Sequence, residues 1–272
     1  MVFIFGSTGQ LGQALSKVFS NSKPVDRKAC DLAKSDEIEN FFLREKIGPD
    51  DLVINAAAFT DVDRAELDRS EAKAVNSDAA KTIARISNQM IHISTDFVFD
   101  GSGTTPWTEL SLPRPINWYG ETKLVGEQAV LEASSNHRLL RVSWLYSDHA
   151  TGFPAKTIAA AKKRDLLQIV DDQVGAPTNC KDVANFIFRL TKQDNLARLP
   201  ALTHLKFEEY RSRCEWAEQI LREEASRHPH FSVPVIAPIS TEQFSKLGKY
   251  ASRPLNCRLA SVHTALVDSL AK

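Results

Sequence analysis

The chain opens on four apolar residues, Val2-Phe3-Ile4-Phe5, that run straight into Gly6-Ser7-Thr8-Gly9-Gln10-Leu11-Gly12. Four apolar residues suit a buried strand, and Leu11, Leu15, Val18 and Phe19 then recur at helical spacing. Strand, glycine turn and helix in that order leave few folds open. The glycines allow a tight turn and let backbone N–H groups approach a phosphate, with the helix N-terminus aimed at the anion. The spacing is Gly-x-x-Gly-x-x-Gly rather than Gly-x-Gly-x-x-Gly, and its physical requirement is similar. The unit predicts a dinucleotide's pyrophosphate beyond a first parallel strand.

The same alternation continues downstream. Pro24-Val25 reads as a second strand, Ile38, Phe41 and Phe42 as a helix face, and Leu52-Val53-Ile54-Asn55 as a third strand. Val75, Ala79, Ile83 and Ile86 mark one long helix ending near Asn88, and Met90-Ile91-His92-Ile93-Ser94 a fourth strand. A Gly, Thr and Pro-rich loop follows, then a helix to about Ser134 and a strand over Leu139–Ser143. Alternating strands and helices predict an α/β fold, a Rossmann-like doubly wound parallel sheet that binds ligands beyond its strands' carboxyl ends. Past residue 147 the pattern loosens. Helices are expected over 153–163, 181–190 and 215–225, a strand near 167–170, and a Pro-punctuated stretch over 233–238. Residues 1–147 are therefore expected to form a dinucleotide-binding domain, with part of 168–192 packing back onto it. Residues 148–272 are expected to form a smaller substrate-binding lobe.

Charge removes several function classes. Lys plus Arg and Asp plus Glu are 34 each, so no bulk field holds a nucleic acid or an anionic membrane. No apolar run approaches the roughly 20 residues of a membrane span. Cys30, Cys180, Cys214 and Cys257 are scattered without metal or redox spacing, which suits reduced thiols in a cytoplasmic protein. The histidines show no metal-ligand clustering, and His92, inside an apolar strand, reads as a core residue.

Five groups of residues carry candidate chemistry. Asp26 and Arg27 follow the second strand, where an acid holds a ribose 2′-hydroxyl and a base a 2′-phosphate; having both leaves NADH and NADPH open. Asp31-Leu32 lies slightly further on, in position to flank an adenine. Asn55-Ala56-Ala57-Ala58 ends the third strand with small side chains that let a cofactor lie against the backbone. Ser94-Thr95-Asp96 ends the fourth strand, where a hydroxyl can hydrogen-bond a substrate carbonyl. Tyr119 and Lys123 stand four apart on a helix and so share a face. The ammonium, together with a positive nicotinamide ring, is expected to draw the phenol's pKa down from near 10.

These residues resemble the extended short-chain dehydrogenase/reductases and, within them, the dTDP-4-dehydrorhamnose reductases. Beyond the glycine turn, the resemblance rests on Asn55 through Glu66, Ser94 through Gly101, Tyr119 through Glu127 and Arg141 through Tyr146. Asp172-Gln173-Val174-Gly175-Ala176-Pro177-Thr178 and Arg253 through Leu259 add to it. It implies NAD(P)H-dependent reduction of the 4-keto group of a dTDP-4-keto-6-deoxyhexose, with NADPH as cofactor and NADH as the alternative. It also implies Tyr119 as proton donor, Lys123 as ribose holder and tuner of Tyr119, and Thr95 orienting the carbonyl. Gly6, Gly9, Gln10, Leu11, Gly12, Asp31, Leu32, Ala57, Ala58, Phe59 and Thr60 would line the cofactor, with Tyr119 and Lys123. Asp96 and Trp144 would meet the sugar nucleotide, and Arg253 with Asn256 its nucleotide side. A homodimer is compatible with the resemblance.

Two positions depart from the pattern. Phe97 stands where a tyrosine commonly follows Ser-Thr-Asp, which removes one hydroxyl near the sugar. Gln13-Ala14-Leu15 stands where some members use a glutamate to bridge dimers through a metal, so no such metal is expected. Other readings stay open: another nucleotide-sugar reductase, a 4-epimerase, or a non-catalytic NADP-binding regulatory subunit of the methionine adenosyltransferase type. Epimerases tend to be longer and to carry Ser-Ser at the fourth strand, and the regulatory reading does not need Trp144 or an intact Thr95, Tyr119 and Lys123.

Overall fold

The computed structural model describes residues 1–147, 152–192 and 195–271; His149 lies outside them. The first half runs β1 (Val2–Phe5), α1 (Gln10–Val18), β2 (Lys23–Val25), α2 (Ser35–Glu45) and β3 (Leu52–Asn55). Helices α3 (Val62–Leu67) and α4 (Arg69–Lys73), a π turn over Ala74–Asp78 and α5 (Ala79–Ile86) then lead to β4 (Gln89–Thr95). A 3₁₀ turn over Asp96–Val98 precedes α6 (Trp118–Ala133) and β5 (Arg138–Val142).

The remaining chain forms β6 (Leu145–Tyr146), α7 (Phe153–Ala161), β7 (Leu166–Val170), β8 (Val174–Gly175), β9 (Thr178–Asn179), α8 (Cys180–Leu190) and α9 (Asn195–Arg198). It ends with β10 (Leu202–His204), β11 (Arg211–Ser212), α10 (Arg213–Arg227), β12 (Val235–Ile239), α11 (Thr241–Ser245), β13 (Asn256–Cys257) and α12 (Thr264–Ala271).

Six parallel strands form the central sheet, in the order β10-β5-β4-β3-β1-β2. Helices cover both faces, which is why β1 and β3 are near-continuous apolar runs and β4 and β5 are buried along nearly their whole length. The period-two pleat still divides the side chains. Ile4, Ile54 and Ile91 pack with Leu11 and Leu15 of α1 and Val183 and Ile187 of α8. Phe3, Phe5, Val53 and Met90 face the other way, against Ile38 and Phe41 of α2 and Ile83 of α5. Because Asn55 pairs with His92, the last three residues of β4, Ile93-Ser94-Thr95, project beyond the end of β3.

Several elements differ from the sequence expectation. The long helix expected up to Asn88 is present, but it starts at Arg69 after a break at Asp68 and is widened by the π turn, which swings Asn76 inward. Asn76 spans α6 and the loop after β3, donating to Thr122 Oγ1 at 3.1 Å and accepting from the Phe59 N–H at 2.8 Å. The sheet's sixth strand, β10, comes from residues 202–204, well past the expected division at 147, and α12 packs on α8 in the first core. The Pro-rich stretch becomes β12, which pairs in parallel with β7 in a two-stranded sheet. Edge strands tolerate proline because one row of N–H groups need not be paired, so Pro238 fits there.

Around these elements sits a smaller layer: β11-β8-β13, β6 with β9, and α7 and α10. Ser212 starts α10 with a capping box, accepting from the Glu215 N–H while the Glu215 carboxylate accepts from the Ser212 N–H.

Candidate active site

A cavity of about 530 Å³ opens beyond the carboxyl ends of β1, β3, β4 and β5. Its floor is the glycine turn. Gly6 adopts φ +76°, and a β-carbon there would lie 2.7 Å from Ala57 Cα, so only glycine serves both the turn and the close approach. Gly12 has a different task. A β-carbon on it would lie 2.1 Å from the Gly6 carbonyl oxygen, so it seats α1 on the turn and stays off the cavity wall. Gly9 caps α1 with no side-chain acceptor, leaving the helix N-terminus to an anion.

Gly6, Gly9, Gln10, Leu11, Asp31, Leu32, Ala57, Ala58, Phe59 and Thr60 all line this half. Asp26 and Arg27 line it too. Arg27 reaches Glu71 at 3.1 Å and Asp31 at 3.4 Å, with most of its side chain in solvent.

The far half is built where β4 overshoots the sheet. Thr95 Oγ1 donates to Asp96 Oδ1 and accepts from the Phe97 N–H, both at 3.2 Å. Helix α6 is brought there by its cap: Asn117 accepts from the Gly120 N–H at 2.8 Å and donates to the Ser252 carbonyl at 2.8 Å. Gly120 lets the helix lie on the 3₁₀ turn, since a β-carbon would meet the Phe97 carbonyl oxygen at 2.2 Å. Tyr119 therefore faces Thr95 and packs edge-on against Phe97, ring centroids 5.5 Å apart.

The electrostatics correct one expectation. Burial raises the Tyr119 phenol above its ordinary range, and only the hydrogen bond with Thr95 draws it back. Lys123 contributes no lowering, because its Nζ is engaged elsewhere: it donates to the Ile93 carbonyl at 2.7 Å and lies 3.2 Å from His92 Nε2. Burial also pulls Lys123 down to about 8, with Glu127 one turn along the helix opposing the shift.

Asp96 is pushed up to about 6, chiefly by burial. Its Oδ2 and the Ser94 hydroxyl are buried without a hydrogen-bond partner among the described residues, and both residues line the cavity. Buried polar atoms normally find partners, so these two fit a polar ligand. Trp144 closes the cavity with φ +48°, an uncommon conformation that costs on the order of 1–3 kcal/mol and is held by its surroundings. Its ring lies against Gly175, stacks on Trp216 and carries the Arg213 guanidinium 3.6 Å from its centroid.

Arg253 is placed elsewhere. It donates to Asp63 Oδ2 at 2.7 Å and to the Ala251 carbonyl at 3.1 Å, tying the C-terminal segment to α3 away from the cavity wall. Asn256 likewise spends its amide on the Ser102 and Thr105 carbonyls. Sequence reasoning missed Arg213, which among the described residues supplies the only guanidinium in the substrate half of the lining. The available signal was slight: an arginine three residues before Trp216, at the start of a helix.

A family model described as RmlD substrate binding domain matches residues 1–269. A dTDP-4-dehydrorhamnose reductase of Shigella flexneri is 37% identical over 196 residues, 68% of this chain and 64% of that protein. The aligned part thus spans just under two thirds of that relative's length. The Aggregatibacter actinomycetemcomitans dTDP-4-dehydrorhamnose reductase is 30% identical over 264 residues, 94% of this chain and 88% of its own. Among solved structures, the Bacillus anthracis dTDP-4-dehydrorhamnose reductase in complex with NADP superposes with a TM-score of 0.85 at 28% identity, covering 99% of this chain and 96% of that one. By this match along nearly its whole length, the chain belongs to the dTDP-4-dehydrorhamnose reductase family, that of the RmlD substrate binding domain.

Proposed function

We propose that this chain reduces the 4-keto group of a dTDP-4-keto-6-deoxyhexose, dTDP-4-dehydrorhamnose to dTDP-L-rhamnose, with NADPH as the reductant. The observation that carries this reading is one cavity with a glycine turn at one end and Thr95, Tyr119 and Lys123 meeting at the other. The relatives' names support the substrate, and the NADP complex of a structural neighbour supports the cofactor. Arg27 on the cavity wall favours the 2′-phosphate of NADPH over NADH.

The residues fit such a dinucleotide on their own terms. Gly6 leaves no room for a side chain, and the first turn of α1 has no side-chain cap. When bound, the cofactor supplies the hydride. Thr95 aligns the substrate carbonyl, and Tyr119 gives its proton to the resulting oxygen. A phenol held above its ordinary pKa stays protonated at neutral pH, the state a donor needs. Lys123 binds the ribose from the same helix face. Asp96 and Trp144 hold the sugar, and the Arg213 guanidinium over Trp144 gives its N–H donors to the nucleotide sugar. The four free, buried cysteines support a cytoplasmic setting. Among the described residues no helix is long and apolar enough to cross a membrane.

The test is NADPH oxidation with dTDP-4-keto-6-deoxy-L-lyxo-hexulose. Tyr119→Phe should lose about 10²–10⁴-fold in kcat, the usual contribution of a positioned acid. No turnover by the unmodified protein sinks the substrate, and full activity in the variant sinks the acid.

A further inference from the structure

His92 sits on β4 between two polar side chains, fully buried. On one side its Nδ1 lies 3.2 Å from the Asn55 amide nitrogen, and on the other its Nε2 lies 3.2 Å from Lys123 Nζ. The orientation of Asn55 is fixed by the backbone. Its Oδ1 accepts from the Ala57 N–H at 3.1 Å, so its NH₂ group must be the side turned toward His92. An NH₂ group only donates, so His92 Nδ1 must accept. A neutral imidazole that accepts at Nδ1 carries its proton at Nε2. That proton then points at Lys123.

An ammonium is donor-only and has nothing to offer an N–H; an amine has a lone pair that accepts it. We propose that His92 is a positioning residue for Lys123: locked by Asn55 as the Nε2–H tautomer, it directs a donor at Nζ and favours the lysine amine over the ammonium. The opposite tautomer would require Asn55 to turn over and face the Ala57 N–H with its own NH₂. Among the described residues, the other charged or titratable groups around Lys123 are Glu127, which favours the ammonium and is itself paired with Arg141, and the Tyr119 phenol on the same helix face. Burial of both His92 and Lys123 acts in the same direction as the lock.

The inference rests on the reductase reading only for its consequence. Before proton transfer an amine leaves the Tyr119 phenol intact.

The test is made on the free protein, without cofactor. Ring ¹⁵N spectra should show His92 Nε2 protonated and Nδ1 bare at neutral pH; the reverse tautomer overturns the proposal. Asn55→Ser removes the lock without adding charge, because a hydroxyl both donates and accepts. The Lys123 titration midpoint, read from its ¹³Cε shift, should then rise by about one pH unit, and an unchanged or lower midpoint overturns it. If Asn55→Ser does not fold, His92→Gln serves: its carboxamide can turn its oxygen to Nζ, and the midpoint should again rise. In assays of the folded variant, the pH limb of kcat should move by the same amount. A correct tautomer in a protein that never oxidises NADPH would sink the reductase reading and leave this one standing.

Discussion

His92 and His204 are both buried in the central sheet, on β4 and β10 with β5 between them, and both are held below the ordinary histidine range by burial. Their partners differ. His204 accepts from Arg141 at Nε2, 3.3 Å away, and donates from Nδ1 toward the Trp107 and Ala260 carbonyls, each at 3.1 Å. Arg141 in turn grips Glu127 with two bonds, at 2.9 and 2.6 Å. Every donor there meets an acceptor whatever the neighbours do. The His92 chain closes only in one protonation state of Lys123. The first network is a fixture of the fold and the second is set to respond, though the sequence writes both as a histidine in an apolar strand.

The largest effect should come from breaking the fixture. Glu127→Ala leaves the Arg141 guanidinium buried without its carboxylate, which should cost about 3–5 kcal/mol in denaturant unfolding. If the loss is no larger than that of Asn55→Ser, the contrast between the two networks fails. The same variant removes the charge that favours the Lys123 ammonium, so where it folds the Lys123 midpoint should fall.

A pH series should show a smaller effect. His204 titrates near 4 in the fold against about 6.5 in the unfolded chain, so between those values only the unfolded chain binds the proton. Stability should therefore be complete above about pH 6.5 and decline as the pH falls toward about 4. His204→Gln should flatten that decline, and His92, also depressed, should account for part of what remains. A slope untouched by His204→Gln would mean that other groups govern it.

The smallest effect is expected at the surface. Lys246 and Glu242 pair at 2.8 Å on an exposed helix, and Lys246→Ala should leave the melting temperature unchanged within error. A clear drop would show that burial is not what gives the interior pairs their weight.

What was legible in the sequence was local. The glycine turn, the spacing of Tyr119 and Lys123, and the strand-end Ser94-Thr95-Asp96 each carry their chemistry within a few residues, and the fold brings them into one cavity. What was hidden depends on distant partners. Leu202-Thr203-His204 is too short to show a period, and it is a strand because β5 offers it an edge. Val235 to Ile239 carries a proline and pairs only because β7 is parallel beside it. Arg253 stands in a stretch that resembles a ligand pocket, but its guanidinium is held by Asp63, far away in sequence. His92 has the sequence signature of a core residue because an apolar strand surrounds it; its role depends on which way the Asn55 amide faces, and that is decided by the Ala57 N–H.

The late position of β10 also orders events during synthesis. When β5 has left the ribosome at residue 142, its outer edge has no partner until residues 202–204 follow. Through that interval the nascent sheet presents a strand that the finished fold buries, with open backbone groups, the kind of edge that recruits other chains. Truncations ending between residues 142 and 202 should therefore be the aggregation-prone products of this chain, and lengths past 204 the first to behave as a finished sheet.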